Sequence, residues 1–524
     1  MRLSLKAGLA AFLLICATAA SAQTDTWPMF RRDAARSAAS AGDLVAPPFT
    51  QCWRASGQYF ASCAVGEGRL FAADRNGNLM ALDPATGRVL WSHRVRGVHV
   101  ATPAVSGSVV FFGVLDWIRG ALEARRTETG ELLWRFDSTR QVTSSPVVVG
   151  DAVIFGGQDR FVYALQPRSG ERLWTYETGL SICSSPAVAG GLVFIGSGDG
   201  FLYALDLADG ALRWRLETGG RVDSSPTVAG GKVFVGSFDG CVYAADAESG
   251  RQLWKTPLSD QWVHSSPLYL DGAIYVGSLD GAFYCLDAET GVVRWRQPTG
   301  GPIYASPVAL GGRVVCGSRD GRLYAFDPKT GDITSRTPLG GYVHSTPATD
   351  GLRIYVGSWD GMFALMTDDD AAINAHPEVP IPLSRGRAAA MVLRAFQERL
   401  PKPSGPATGT PFADGAADDP HVQAIAGAAQ RGIVEGYPSG RFHSSHAATW
   451  NEFVVMCERG AQLWRFDTPV RQVDFLPESH WAARAWAAMA GAGVLPDAPD
   501  PTGPVTVAEA KAMIEALLAI PAQP

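Results

Sequence analysis

SSPAVAGGLVFIGSGDGFLYALDLADGALRW, residues 184–214, and SSPTVAGGKVFVGSFDGCVYAADAESGRQLW, residues 224–254, are two copies of one unit. It returns as SSPLYLDGAIYVGSLDGAFYCLDAETGVVRW at 265–295 and as ASPVALGGRVVCGSRDGRLYAFDPKTGDITS at 305–335. The closing tryptophan marks the period at Trp91, Trp134, Trp174, Trp214, Trp254 and Trp295, spaced 43, 40, 40, 40 and 41 residues apart. Self-similarity at a fixed period of this length is the mark of a repeat architecture.

Each unit holds three short apolar or β-branched runs and a fourth ending in Trp, separated by glycine-containing breaks. The first break is Gly190-Gly191 in one unit and Asp271-Gly272 in another, and the second is Asp199-Gly200, Asp239-Gly240, Asp280-Gly281, Asp320-Gly321 or Asp360-Gly361. Asp-Gly suits a tight hairpin because both central residues of a type I′ turn need positive φ. Four antiparallel strands per unit make one propeller blade. The expected fold class is therefore all-β, an eight-bladed propeller of four-stranded antiparallel blades over residues 49–366. The unit at 101–134 carries an insertion around residues 117–124, and the last unit, from Ser345 to Leu365, stops after its third strand. Upstream of the first unit, Phe49 to Arg54 forms an orphan strand with its own Trp53. Supplying the last blade's outer strand from here closes the ring and removes exposed sheet edges. The repeated Trp reads as blade-to-blade packing. Ser335 is the one slot without it, so a looser contact is expected there.

The pattern SPxVxxGxVxxGSxDGxLY followed by AxDxxTGxxxW resembles the PQQ-type propeller repeat of quinoprotein alcohol dehydrogenases and of the outer-membrane assembly lipoprotein BamB. Trp27-Pro28-Met29-Phe30-Arg31-Arg32-Asp33 looks like the segment leading into such propellers. In the family's dehydrogenases, the resemblance implies a quinone held against a disulfide of adjacent cysteines, with calcium beside it. This chain has no two adjacent cysteines and no long loops to roof a cofactor. No cofactor is therefore expected; PQQ and calcium belong to the alternative reading as a quinoprotein dehydrogenase, and barrel assembly belongs to a BamB-like alternative. Fold resemblance alone does not choose among them.

The residue three before each SP proline should start the innermost strand and face the axis. It reads Phe60, Val100, Thr143, Cys183, Asp223, His264, Tyr304 and His344. A purely structural ring would repeat, as the Trp does, whereas the varied arc from Cys183 to His344 could line a ligand pocket, and His with Asp on convergent strands could even ligate a metal. Against this, a channel mouth is wetted and polar by default, and no metal site is expected. HExxH, P-loop and nucleophile-elbow patterns are absent. The GSxDG aspartates read as turn chemistry rather than calcium ligands.

A formal charge of -6 gives no reason to expect nucleic acid as a partner. Arg2 and Lys6, an apolar run from Ala7 to Ala20 and Ala20-Ser21-Ala22 fit a secretory signal over residues 1–22, with a lead-in over 23–48. No later stretch is apolar and long enough to cross a bilayer, so an exported chain of the periplasm or cell surface is expected. After signal removal seven scattered cysteines remain, without zinc or haem spacing.

After Met366 the period vanishes. Residues 367–382 are acidic and contain proline, as a linker would. From Leu383 to the end the sequence turns Ala-rich, and five helices are expected, at 387–400, 420–431, 450–463, 480–490 and 507–518. Pro411-Phe412-Ala413-Asp414, a helix, GIVEGYPSGRF at 432–442 and Thr449-Trp450-Asn451-Glu452 resemble one S-layer homology repeat. A second copy runs from Val473-Asp474-Phe475 to Thr506-Val507-Ala508-Glu509, and Ser384-Arg385-Gly386-Arg387-Ala388 looks like the tail of another. In that family an arginine at the helix start contributes to holding an anionic cell-wall polysaccharide. Here only Arg385 fills the slot, with Trp450 and Val507 in the others. The resemblance implies polymer binding by Arg385, Tyr437, Arg441 and Trp450. Thr449/Glu452 and Thr506/Glu509 also have capping-box spacing. The expectation is a non-catalytic envelope scaffold: a propeller face for envelope proteins or glycans, and a helical domain holding cell-wall polymer.

Overall fold

The structure is a computed structural model that describes residues 27–40, 45–95, 101–116, 119–369, 373, 380–396, 412–414, 421–462, 482–495 and 500–519. The expected signal peptide, Val100, the start of the insertion and the Val473–Phe475 motif lie outside the described residues.

Eight four-stranded antiparallel blades radiate from one axis, the seventh joined by Ala39–Ser40 as a fifth, parallel strand beside Val308–Leu310. The unit at 184–217 shows the pattern, with Ala187–Ala189, Leu192–Gly196, Phe201–Asp206 and Leu212–Glu217 hydrogen-bonded in that order. The short first strands of neighbouring blades touch one another, which sets them innermost. The eighth blade is composite: Ala348–Thr349, Ile354–Gly357 and Met362–Thr367 take Phe49–Ala55 as their outer strand, with Trp53 opposite Ala364. The ring closes where the orphan strand predicted it would.

Two interactions repeat around the ring. At seven interfaces a tryptophan packs on the glycine of the next blade's third turn and donates its Nε1 to a carbonyl there. Trp174, for example, reaches Leu207 O at 3.0 Å, and a Cβ on Gly210 (φ 74) would lie 2.5 Å from its ring. Nearer the axis, the second Ser/Thr of each SSP-type motif accepts a backbone N–H from the preceding blade. Ser145, Ser185, Ser225, Ser266, Ser306, Thr346 and Ser62 form this chain of hydroxyls at 2.7–3.2 Å. The turn aspartates are spent locally, as expected: Asp199 accepts Phe201 N and the Tyr203 hydroxyl, at 3.1 and 2.7 Å.

The lead-in is not a passive leader. Its backbone pairs with Val65, Val105, Val188, Val228 and Ala309, so it crosses one end of the axis. Arg31 and Arg36 are carried into the interior with no exposed surface, and burial pushes both down to about 9.

At the eighth interface the third strand leaves the propeller instead of turning, so there is no turn glycine for a tryptophan to cover. Ser335 therefore borders a cavity of roughly 630 Å³, walled by Phe49, Arg336, Asp368, Asp414 and Arg441. The expected loose contact is a gap between domains.

The C-terminal domain holds helices at Arg385–Phe396, Val422–Gln430, Trp450–Gln462, Ala483–Gly491 and Val507–Leu518. The first begins two residues early because Ser384 Oγ caps the N–H of Arg387 at 3.0 Å. The stretch expected as a linker is firmly held at both described ends. Thr367 is in the sheet, and Asp368 is buried against Arg387 at 2.6 Å, Ser384 at 2.6 Å and His421 at 3.3 Å. Burial would raise Asp368, but His421 and Arg387 outweigh it and hold the carboxyl below its ordinary range. Backbone bonds from Gln51 N to Ser445 O and Ala447 N to Gln51 O attach the domain to the eighth blade's outer strand.

Trp174→Ala is expected to cost about 3–5 kcal/mol, as for other buried aromatic truncations, read from the thermal or urea midpoint. His446, bridged to Gln51 at the seam, is pushed down to about 4 by burial and then by His443 and Arg385. Its value lies below the ordinary one near 6.5, so the unfolded form takes the proton first. The seam should be intact above about pH 6.5 and weaken as pH falls toward 4, and His446→Gln should flatten that part of the urea-midpoint profile.

Candidate functional site

The described residues of the set three before each SP proline are half-buried, and they lie in the segments leading into the innermost strands, Cys183 four residues before Ala187–Ala189. There Cys183, Asp223, His264, Tyr304 and His344 follow one another around the arc. Tyr304 stacks on His344 at 4.8 Å and 11°, and His264 meets Tyr304 at 5.3 Å. Phe60 closes the ring edge-on to His344 at 5.4 Å. Asp223 shares Arg221 at 3.4 Å. The Cys183 thiol is raised by burial and by Asp223, which leaves it a poor nucleophile.

Desolvation pushes His264 down, and His344 falls to about 4 through burial, Arg319 and His264. Both imidazoles are neutral aromatic groups at neutral pH. Their rings lie in a row with Tyr304 between them, stacked on His344 and tilted 54° to His264, rather than converging on a point. Among the described residues no three His, Cys, Asp or Glu come together to hold a metal.

The donor set also fails to match calcium and a quinone. Calcium takes six to eight oxygens, whereas this arc offers one carboxylate, already engaged by Arg221. The seven described cysteines are free, and none is adjacent to another in sequence. The residues present do not fit those groups.

Two further tiers at the funnel mouth escape a reading of the innermost strand alone. The x of each GSxDG turn donates its N–H to the carbonyl of the residue two before the arc: Phe238 to Arg221, Leu279 to Trp262, Arg319 to Pro302 and Trp359 to Tyr342, at 2.9–3.1 Å. These positions vary between units, while the Ser, Asp and Gly around them hold from the fourth unit to the eighth, and that contrast was the available signal. Trp359 Nε1 and His344 Nε2 are buried without a hydrogen-bond partner among the described residues.

In the C-terminal domain the three helix starts form a closed triangle. Leu383 N donates to Val505 O, Val505 N to Ala448 O and Ala448 N to Leu383 O, at 2.7–2.9 Å. Both capping boxes are present: Glu452 N reaches Thr449 Oγ1, Glu509 N reaches Thr506 Oγ1, and each glutamate accepts the threonine's N–H. Arg385 lies under Tyr437 and over Phe442, 4.4 and 4.6 Å from the ring centroids, with Glu452 Oε1 3.4 Å from its Nε. With Tyr437, Val434 and Arg459 it lines a cleft of roughly 190 Å³.

The other two residues expected at this cleft are elsewhere. Trp450 is 3% exposed in the domain core, its Nε1-bearing ring 6.4 Å from those of Phe453 and Trp486. The amphipathic helix turns that slot inward. Arg441 is exposed and faces the cavity beside Ser335, because it sits past the tip of the 437–440 turn.

Residues 44–182, 159–269 and 238–361 match the family model described as outer membrane protein assembly factor BamB. Among solved structures, BamB from Moraxella catarrhalis is 23% identical, covers 61% of this chain and 100% of its own, and superposes with a TM-score of 0.54. The computationally designed Ika8 protein matches at 16% identity over 61% of this chain and 99% of its own, TM-score 0.54. A europium-containing methanol dehydrogenase matches at 14% over 66% of this chain and 98% of its own, TM-score 0.56. A comparison with curated proteins gives no match. At these identities the structural likenesses speak for the fold alone. Among the described residues no helix is long and apolar enough to cross a membrane.

Proposed function

The chain belongs to the PQQ_2 family, the outer membrane protein assembly factor BamB propellers, and from that premise we propose that it is an exported, non-catalytic scaffold of the cell envelope. Its propeller offers a binding face to envelope proteins or glycans, and its helical domain, an S-layer-homology-like module, holds an anionic cell-wall polymer.

The observation that carries this reading is the triangle of helix starts with Arg385 in one corner. Three equivalent segments, joined in a cycle, are what tandem copies of one repeat would form. The cleft beside Arg385 is the corner that retains a guanidinium, suited to a carboxylate because it donates parallel hydrogen bonds. Glu452 already shares that guanidinium, so an incoming polymer carboxylate would compete with it. One working corner implies modest affinity per molecule. The buried Asp368 cluster fixes the domain to the eighth blade, so attachment and binding face move as one body.

The family match supports a second reading, a role in assembling membrane barrels, which a pull-down of barrel proteins from envelope extracts would separate from the first.

Attachment is tested with point variants, because cutting after Asp368 would also strip the eighth blade of its covering. Tyr437→Ala, 42% exposed in the wild type, should weaken cosedimentation with cell-wall polymer several-fold with the thermal midpoint unchanged, and Arg385→Gln, 5% exposed and bonded to Phe442 O, should weaken it about tenfold with some loss of stability. If both variants cosediment like the parent, attachment through this cleft is wrong.

A further inference from the structure

The funnel mouth carries an aromatic ladder at positions where other blades hold Gln, Ser or Gly. It begins at Trp262, parallel to Phe238 at 4.4 Å and 5° and 48% exposed. It passes through the His264, Tyr304 and His344 stack and ends where Tyr342 and Phe60 meet Trp359 at 4.7 and 5.2 Å. The rungs span five adjacent blades, from the fifth round to the first. Blades three and four present Gln141, Gln158, Ser181 and Gly198 at the matching sites, so the ladder is not a requirement of the fold.

Two guanidiniums lie on its rungs. Arg319 sits 4.3 Å from the Tyr342 ring and 5.2 Å from Tyr304; Arg75 sits 5.2 Å from Phe60 and 5.6 Å from Trp359. Neither pairs with a carboxylate among the described residues. Beside them Trp359 Nε1, which can only donate, has no acceptor. This face is therefore rich in donors and positive charge set among ring faces. Charge asks for an anion, ring faces ask for flat C–H surfaces, and the length of the row asks for an oligomer. A polypeptide would seek a free strand edge, yet on this face the innermost N–H groups of Ser225, Ser266 and Ser306 are already bonded to the next blade's hydroxyl.

We infer that the funnel mouth between the fifth and first blades is a binding cleft for an acidic oligosaccharide, a chain of uronic-acid units. Its carboxylates pair with Arg319 and Arg75, and its ring faces stack along Trp262, Tyr342 and Trp359. This rests on the reading of the propeller as a binding face and names the ligand class of that face. Stacked guanidiniums are well placed for it, because the aromatic ring holds the planar cation without using its hydrogen-bond donors.

The test uses the full chain, titrated by calorimetry and tryptophan fluorescence with hexagalacturonate, with neutral cellohexaose and with a tyrosine-bearing oligoglutamate peptide. Hexagalacturonate should bind and quench the fluorescence, more weakly as salt rises. Arg319→Gln and Arg75→Gln should each weaken it about tenfold or more, and Trp262→Ala several-fold, with unchanged melting because these side chains are exposed or half-exposed. Equal affinity for cellohexaose, preference for the peptide, no binding at millimolar uronate, or indifference to all three substitutions would each overturn the assignment. Envelope cosedimentation of the same variants separates the two levels. If it persists while uronate binding is absent, the ligand class is wrong and the scaffold reading stands.

Discussion

A ring of sheets must return to its own beginning, and every other feature here answers to that closure. Two girdles enforce it at different radii. Near the axis each blade hands a backbone N–H to the next blade's hydroxyl, seven times in succession. Farther out each tryptophan lies on the next blade's turn glycine and bonds to a carbonyl beside it. The inner bonds are buried, so leaving one unmade costs about 1–3 kcal/mol. The outer contacts bury a ring apiece. Because the N-terminal strand brings its own Trp53 to Pro84 O, closing the last blade also completes the outer girdle on the first.

Closure with a borrowed strand has a local cost. Where the third strand of the eighth blade runs on instead of turning, the seventh blade has nothing to cover, and its tryptophan slot holds Ser335. The space left there is bordered by the C-terminal domain, whose 445–447 segment pairs with the borrowed strand and shields an otherwise open edge. The Asp368 cluster completes the junction. Removing one member would leave a buried charge unpaired, a penalty of about 3–5 kcal/mol, so the second domain is coupled to the stability of the ring.

What could be read from the sequence was whatever repeats. Trp, Asp-Gly and SSP recur because every blade solves the same packing problem, and their period disclosed blade number, strand order and the closing strand. The arc from Cys183 to His344 was legible by counting from the SP proline. Features that occur once were not legible. Nothing in the composition of residues 27–40 says that Arg31 and Arg36 end in the interior, since the partners Thr227 and Pro186 are about 150–200 residues away. The Asp368 cluster likewise joins residues with no local pattern. Trp450 and Arg441 were placed by likeness to a helix-start slot and a glycine turn; which way each side chain faces is decided by packing against Trp486 and by the seam.

The same division explains how such a ring can acquire a binding face. Blade-to-blade contacts consume the constant positions: the serine hydroxyls, the turn aspartates, the indoles. The residue two before the arc and the x of GSxDG are joined to each other by a main-chain bond whatever their side chains. Their side chains are thus released from folding duty and held at fixed spacing around the mouth. Glutamine, serine and glycine on one side and eight rings with unpaired guanidiniums on the other can then coexist on identical backbones. Asymmetry of that kind cannot come from the repeat, which is blind to blade number.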